Sequence, residues 1–162
     1  MKETDYYNNI KNLIINNEVT KSVKNYSINR SDLETKYNIG KLLSEAGKQY
    51  GEGIVKRFSA KLTNEFGKGY TTTNLKYYRQ FYYFSIRHTL CDKLTWSNYR
   101  KLLSINDDNE INYYLNIIVE KNLTYRELES RIKSKEYERL LEETKNKLIS
   151  DGNIIYRTFK LK

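Results

Sequence analysis

The sequence predicts an all-α protein: a compact bundle of about six or seven helices containing a helix-turn-helix-like pair, with a short extended C-terminal tail. Three observations point there. The 162 residues include no Pro and only seven Gly, so little interrupts helices or favours tight β-turns. Apolar residues recur at three- and four-residue spacing through most of the chain, the period of a helix buried on one side. A Thr or Ser followed three positions later by a polar side chain, the pattern of a capped helix start, precedes several of these stripes. A chain of this length favours one domain, able to bury about two thirds of its unfolded surface. The expected boundaries are a single helical domain over 1–150 and a tail over 151–162.

The first helix is expected over residues 4–30, where Tyr6, Ile10, Leu13, Ile14, Val19, Val23 and Tyr26 keep helical spacing. Asn16 and Asn17 weaken its middle. Ser31-Asp32-Leu33-Glu34 reads as a capping box, so a second helix should start there and run to residue 46. Leu33, Tyr37, Leu42 and Leu43 form its buried side. Gly40, inside it, costs about 1 kcal/mol relative to Ala, which implies a close helix crossing. Residues 47–53 read as a short loop.

The stretch EGIVKRFSAKLTNEFGKGYTTTNLKYYRQFYYF, residues 52–84, organises the rest. Ile54, Val55, Phe58, Leu62 and Phe66 form one apolar stripe. Gly67 and Gly69 offer the positive φ that a helix stop and sharp re-entry use. Thr71 is the expected N-cap of the next helix, with Asn74 as its partner and Tyr70 and Leu75 as a hydrophobic staple. In that helix Leu75, Tyr78 and Tyr82, with Phe81 beside them, are expected inside. Tyr77, Arg79, Gln80 and Tyr83 fall nearer the outside, with Arg79 the best candidate for a bidentate guanine contact. Leu94-Thr95…Asn98-Tyr99 and Leu123-Thr124…Glu127-Leu128 repeat the same start logic. Shared capping chemistry accounts for the repetition without duplication. Asn106-Asp107-Asp108-Asn109-Glu110 opens a further helix with Ile111, Tyr114, Leu115 and Ile118 inward. A last, charged helix is expected over 124–149. Asp151-Gly152 then ends the pattern, and 154–161 reads as a loose extended piece.

Charge locates a function more sharply than composition does. Of the net +9, residues 1–34 contribute nothing, with five basic and five acidic side chains, and 106–162 cancel at eleven of each. Residues 35–105 hold thirteen basic and four acidic. A surplus confined to the segment that reads as helix-turn-helix is the footprint of a nucleic-acid binder. The phosphate- and base-contacting set is Lys56, Arg57, Lys61, Lys68, Thr72, Thr73, Lys76, Arg79, Gln80, Arg87, Arg100 and Lys101. About six neutralised phosphates imply a slope of log K against log salt of roughly −5.

Four runs, KYNIGKLL (36–43), YGEGIVKRFSAKLTNEFGKGYTTTNLKYYRQFYYF (50–84), LTWSNYRKLLSI (94–105) and LTYRELESRIKSKEYERL (123–140), stand in the order and spacing of one family. Residues 10–140 resemble the N-terminal domain of the YhcG-type PD-(D/E)XK nuclease family, long carried as a domain of unknown function. The resemblance implies a helical domain that binds DNA ahead of a restriction-endonuclease-like domain, in proteins found near restriction-modification or mobile elements. It implies structural roles for Phe66, Gly67, Gly69, Leu75, Phe81 and Trp96, and a DNA-facing role for Thr72, Thr73, Lys76, Arg79 and Gln80. The family's catalytic domain would lie beyond residue 140. That nuclease needs an Asp and a Glu-x-Lys on a strand to hold Mg²⁺. Asp151 is not followed by one, so no inherited nuclease activity is expected in this chain.

No other chemistry has support. His88 is the only His and Cys91 the only Cys, too few for a zinc site. Beside Arg87, His88 reads as a surface or phosphate-contacting residue, and Cys91 as a small core residue. GEG at 51–53 and GKG at 67–69 follow no strand, so no phosphate loop is expected. Catalytic residues, metal and cofactor are all expected to be none. No signal peptide or membrane span is legible, and one Cys fits a reducing compartment, so the expected location is cytoplasmic.

The leading function is therefore a non-enzymatic nucleic-acid-binding module, for DNA rather than RNA and double-stranded. The alternative is a phage or mobile-element module that docks on a nucleic-acid-processing defence enzyme and inhibits or recruits it, which the Tyr-rich surface suits. A third reading is a subunit whose nuclease domain is encoded separately. A homodimer would suit a helix-turn-helix reading a symmetric site, and no membrane partner is expected.

Overall fold

The computed structural model describes residues 1–22, 28–88, 90–91, 94–150 and 158–159. Eight helices account for most of them: α1 (Glu3–Ser22), α2 (Ile28–Tyr50), α3 (Gly53–Phe66), α4 (Thr72–Arg87), α5 (Trp96–Leu102), α6 (Asp108–Lys121), α7 (Tyr125–Lys133) and α8 (Glu142–Ser150). A 3₁₀ turn at Lys68–Tyr70 links α3 to α4. The fold is all-α, as the periodicity predicts. The one β pairing among the described residues joins β1 (Leu90–Cys91) to β2 (Thr158–Phe159), antiparallel, with Leu90 opposite Phe159 and Cys91 opposite Thr158. Part of the piece expected to be loose thus has a partner edge. Contacts divide the chain into two units, Met1–Arg87 and the residues from His88.

In the first unit α2 is the hub, packing against α1, α3 and α4. It starts at Ile28, before the expected capping box at Ser31. Asp32 accepts from Asn17 Nδ2 of α1 (3.2 Å) and from Lys36 Nζ (2.7 Å). The helix also outruns its expected end at residue 46, stopping at Gly51, where φ is +83° and the N–H bonds back to the Gly47 carbonyl. The expected loop over 47–53 shrinks accordingly. Along α2, Leu33, Tyr37, Ile39 and Leu43 are buried, whereas Leu42 is only half-buried. The crossing with α4 is as close as Gly40 implies: a Cβ there would sit 2.1 Å from the Tyr78 carbonyl oxygen.

Helix α1 buries Tyr6, Tyr7, Ile10 and Ile14. Val19, expected inside, is 59% exposed, since it lies well round the helix from the Ile10–Ile14 stripe. Val23 and Tyr26 lie outside the described residues. Two tyrosines tie α1 to its neighbours. The Tyr6 ring meets Tyr50 edge-on, and the Tyr7 ring meets Phe58. The Tyr7 hydroxyl donates to Glu65 (2.6 Å), which also pairs with Lys11 (2.8 Å). Lys11 foremost, and then Tyr7, hold the Glu65 carboxyl below its ordinary pKa.

The second unit buries Tyr99, Leu102, Ile111, Tyr114, Leu115, Ile118 and Leu128, with α5 packed on α7. Both Thr-started helices are capped as expected: Thr95 N–H donates to Asn98 Oδ1 (3.0 Å), and Glu127 N–H to Thr124 Oγ1 (3.2 Å). Asp107 caps α6 through Asn109 N–H (2.9 Å). The long last helix expected over 124–149 is broken. Lys135 takes φ +57°, its N–H reaches the Ile132 carbonyl and that of Glu136 the Arg131 carbonyl, a Schellman stop. The turn buries Tyr137, whose N–H meets the Tyr114 hydroxyl (3.3 Å). Burying that ring overrides the helical propensity of the charged residues around it. His88 also departs from expectation. It is buried, with Nε2 3.1 Å from Asp108 Oδ1 and Nδ1 3.3 Å from Asn112 Oδ1, because α6 supplies polar partners that no local pattern announces. The Cys91 side chain lies outside the described residues.

Two outcomes follow from this packing. Gly40→Ala should cost about 1–3 kcal/mol or more in denaturant unfolding, because backbone rather than a movable side chain fills the space. Gly69→Ala, with nothing within 4 Å of its Cβ position, should stay within about 1 kcal/mol of wild type. Equal stabilities would dispose of the close-crossing account. A lowered folded pKa at Glu65 gives stability present above its ordinary 4.5 and lost as pH falls through the folded value. Glu65→Gln should therefore be less stable than wild type at about pH 7 and indistinguishable from it by about pH 3.

Candidate nucleic-acid interface

The corner between α3 and α4 is built from hydrogen bonds that the two helices send into the turn. Gly67, at φ +95°, ends α3. Gly69 takes no positive φ, so only one of the two expected glycines needs that freedom. Ser59 Oγ (2.9 Å) and Thr63 Oγ1 (3.3 Å) of α3 donate to the Tyr70 carbonyl. Asn74 Nδ2 (3.2 Å) and Tyr78 Oη (3.1 Å) of α4 donate to the Gly69 carbonyl. Thr71 Oγ1 accepts from Asn74 N–H (3.3 Å), the expected N-cap. The turn's carbonyls are thus satisfied by side chains, and the helix angle is fixed from both sides. Burial foremost, then the carboxylates of Glu18 and Asp32, push the Tyr70 phenol pKa up.

Helix α4 buries Leu75, Tyr78, Phe81 and Phe84. Tyr82, expected inside, is half-buried, its ring against Tyr37 at 5.2 Å. Phe84 takes the buried place because α4 turns about the Gly40 contact. The opposite side is open. Thr73, Lys76, Gln80, Tyr83 and Arg87, spaced by three and four residues, are all exposed, one stripe of the helix. Thr72 is half-buried at its start. The Tyr83 hydroxyl is shared with Ser44.

The remaining predicted residues divide. Arg79 is only 21% exposed, and its Nη1 lies 2.6 Å from Glu52 Oε2. Arg57 Nε pairs with Glu3 at 3.0 Å, and Lys61 Nζ lies 5.2 Å over the Tyr7 ring, so both turn towards α1. Lys56 and Lys68 are exposed. Lys56, Lys68, Lys76 and Arg87 make no ion pair among the described residues. Arg100 and Lys101 belong to the second unit, exposed and half-buried respectively. The structure thus keeps Thr73, Lys76, Gln80 and Arg87 together and directs Arg57, Lys61 and Arg79 to other partners.

Sequence reasoning missed Glu52, which holds Arg79 from 27 residues away. No local pattern marks such a pair. It also missed Ser59 and Thr63, although two small hydroxyls four apart beside an apolar stripe are a readable sign of a contact across the turn. A cavity of about 580 Å³ lies among α1, α2 and the turn, lined in part by Asn17, Asp32, Lys36, Glu65 and Tyr70. Its Asp32 and Glu65 carboxylates are already paired with lysines. Among the described residues no group of three His, Cys, Asp or Glu could hold a metal ion. Nor is any described helix long and apolar enough to cross a membrane.

Fold and surface together define an all-α protein whose N-terminal unit is a helix-turn-helix-like corner with a polar, basic outer stripe. The chain belongs to the DUF1016 family: the DUF1016 N-terminal domain matches residues 9–139. This is the YhcG-type family that the quoted motifs resemble, and the domain's function is unknown. No curated protein and no solved structure matches the chain.

Tyr78→Phe and Asn74→Ala should each cost about 1 kcal/mol in unfolding, as one donor to the Gly69 carbonyl remains. The double variant should cost more than their sum, because that carbonyl then loses both donors. Additive losses would show that the two side chains act independently of the turn.

Proposed function

We propose that the N-terminal unit is a non-enzymatic module that binds double-stranded DNA, with α4 lying in a groove. The observation that carries this reading is the α4 stripe. Thr73, Lys76, Gln80 and Arg87 face outward on one line and have no hydrogen-bond or ion-pair partner among the described residues. Residues 1–87 hold fifteen basic and eight acidic side chains, a surplus of seven out of the chain's nine. Such a surplus favours a polyanion and would speed its approach. Two of the three arginines of the corner pair, Arg57 and Arg79, are tied to carboxylates. Lys56, Lys68 and Lys76 are then left as point-charge phosphate contacts, with Arg87 at the far end.

A second reading, docking on a protein, draws on the same helix. Tyr83 and Ile86 are 44% and 62% exposed, and Tyr offers large contact area at low entropic cost. Were a protein such as a nucleic-acid-processing enzyme the main target, Tyr83→Ala with Ile86→Ser would abolish its capture, and duplex binding would be absent in the wild type too.

Mobility-shift titrations of the full chain on a duplex, between about 50 and 200 mM salt, test the DNA reading. Four unpaired cations imply a slope of log K against log salt of roughly −4. Lys76→Ala should make it shallower by about one. Glu52→Ala, which releases the Arg79 guanidinium, should steepen it by about one. Absent or salt-independent binding would end the proposal.

A further inference from the structure

An exposed Gln is ordinarily just a solvated helix residue. Gln80 stands apart because of what surrounds it. Arg79, the side chain best suited by chemistry to guanine, is drawn to Glu52 at 2.6 Å and is only 21% exposed. The next position carries an exposed amide with no hydrogen-bond partner among the described residues. Gln80 shares its stripe with Lys76, four residues before, and Arg87, seven residues after. At the helical rise these two cations lie about 16 Å apart along the axis. That span is enough to reach phosphates flanking a major groove about 12 Å wide, with Gln80 between them. The amide presents an NH₂ donor group and a carbonyl acceptor side by side. It matches the N6 donor and N7 acceptor that adenine shows in the major groove, and neither guanine acceptor can take its place fully. Thr73, exposed two turns earlier on the same line, presents a methyl group of the kind that packs on a thymine methyl.

We infer that Gln80 is the base-reading residue of the module and selects adenine, so the preferred duplex is centred on an A·T pair rather than a G·C pair. This deepens the DNA-binding reading and rests on it. The carboxylate of Glu52 sets the preference indirectly, by withholding the competing guanidinium.

The test selects duplexes from a random-sequence pool with the full chain, then measures affinity ratios on the enriched site. Adenine is expected at its centre. Exchanging that A·T pair for G·C should weaken binding about tenfold, and 7-deaza-adenine, which lacks the N7 acceptor, should weaken it about as much. In Gln80→Ala the adenine-to-guanine ratio should collapse to near one. In Gln80→Glu the preference should move to cytosine, whose amino group a carboxylate accepts. Both changes lie on an exposed helix face, and an unchanged melting temperature shows that the fold is kept. An enriched G·C centre, or the same base preference in wild type and Gln80→Ala, overturns the inference and leaves DNA binding standing. Failure to retain any duplex at low salt overturns both.

Discussion

The backbone contact at Gly40 is the constraint on which the N-terminal unit depends. The Tyr78 carbonyl occupies the space where any side chain at position 40 would begin, so α2 and α4 meet backbone to backbone. That fixes the rotation of α4 about its own axis. With Tyr78 and Arg79 against α2, Leu75, Phe81 and Phe84 must point into the core. Thr73, Lys76, Gln80 and Arg87 are then turned outward by the helical repeat alone. A larger residue at position 40 would push α4 away and present a different stripe.

The turn adds a second constraint that acts on the same helix. Four side chains, two from each flanking helix, satisfy the Gly69 and Tyr70 carbonyls. Their hydrogen bonds are individually worth about 1 kcal/mol, and together they hold the turn from both flanking helices. The corner is therefore held by polar groups where many αα-corners rely on apolar contact. A groove-reading helix benefits from such anchoring, because base contacts tolerate little displacement.

Ion pairs then decide which charges remain for a partner. An exposed pair such as Arg57 with Glu3 contributes little stability, yet it withdraws a guanidinium from the outer surface. Arg79 is withdrawn further, being largely covered as well as paired. The basic surplus is real in the sequence, but the structure parcels it out. Lys68, Lys76 and Arg87 face solvent along α4 and the turn, Lys56 does so on α3, and Arg57, Lys61 and Arg79 are turned to partners within the unit.

By itself the sequence determined the all-α class, the stripes of α3 and α6, the Thr caps at 71, 95 and 124, and the meaning of Gly40. All but the last rest on periodicity or on partners within four residues, which a linear pattern records, and Gly40 is legible because a glycine inside a helix carries a cost that a close crossing accounts for. It also carried enough motif for the family to be recognised. Tertiary structure decided the rest. Asp32 bonds Asn17 of α1 as well as Lys36, Tyr137 broke a helix by burying its ring, and His88 went inside between Asp108 and Asn112. Glu52, far away in sequence, chose Arg79. Each of these outcomes turns on a partner brought close only by folding, and local spacing holds no trace of a neighbour that distant.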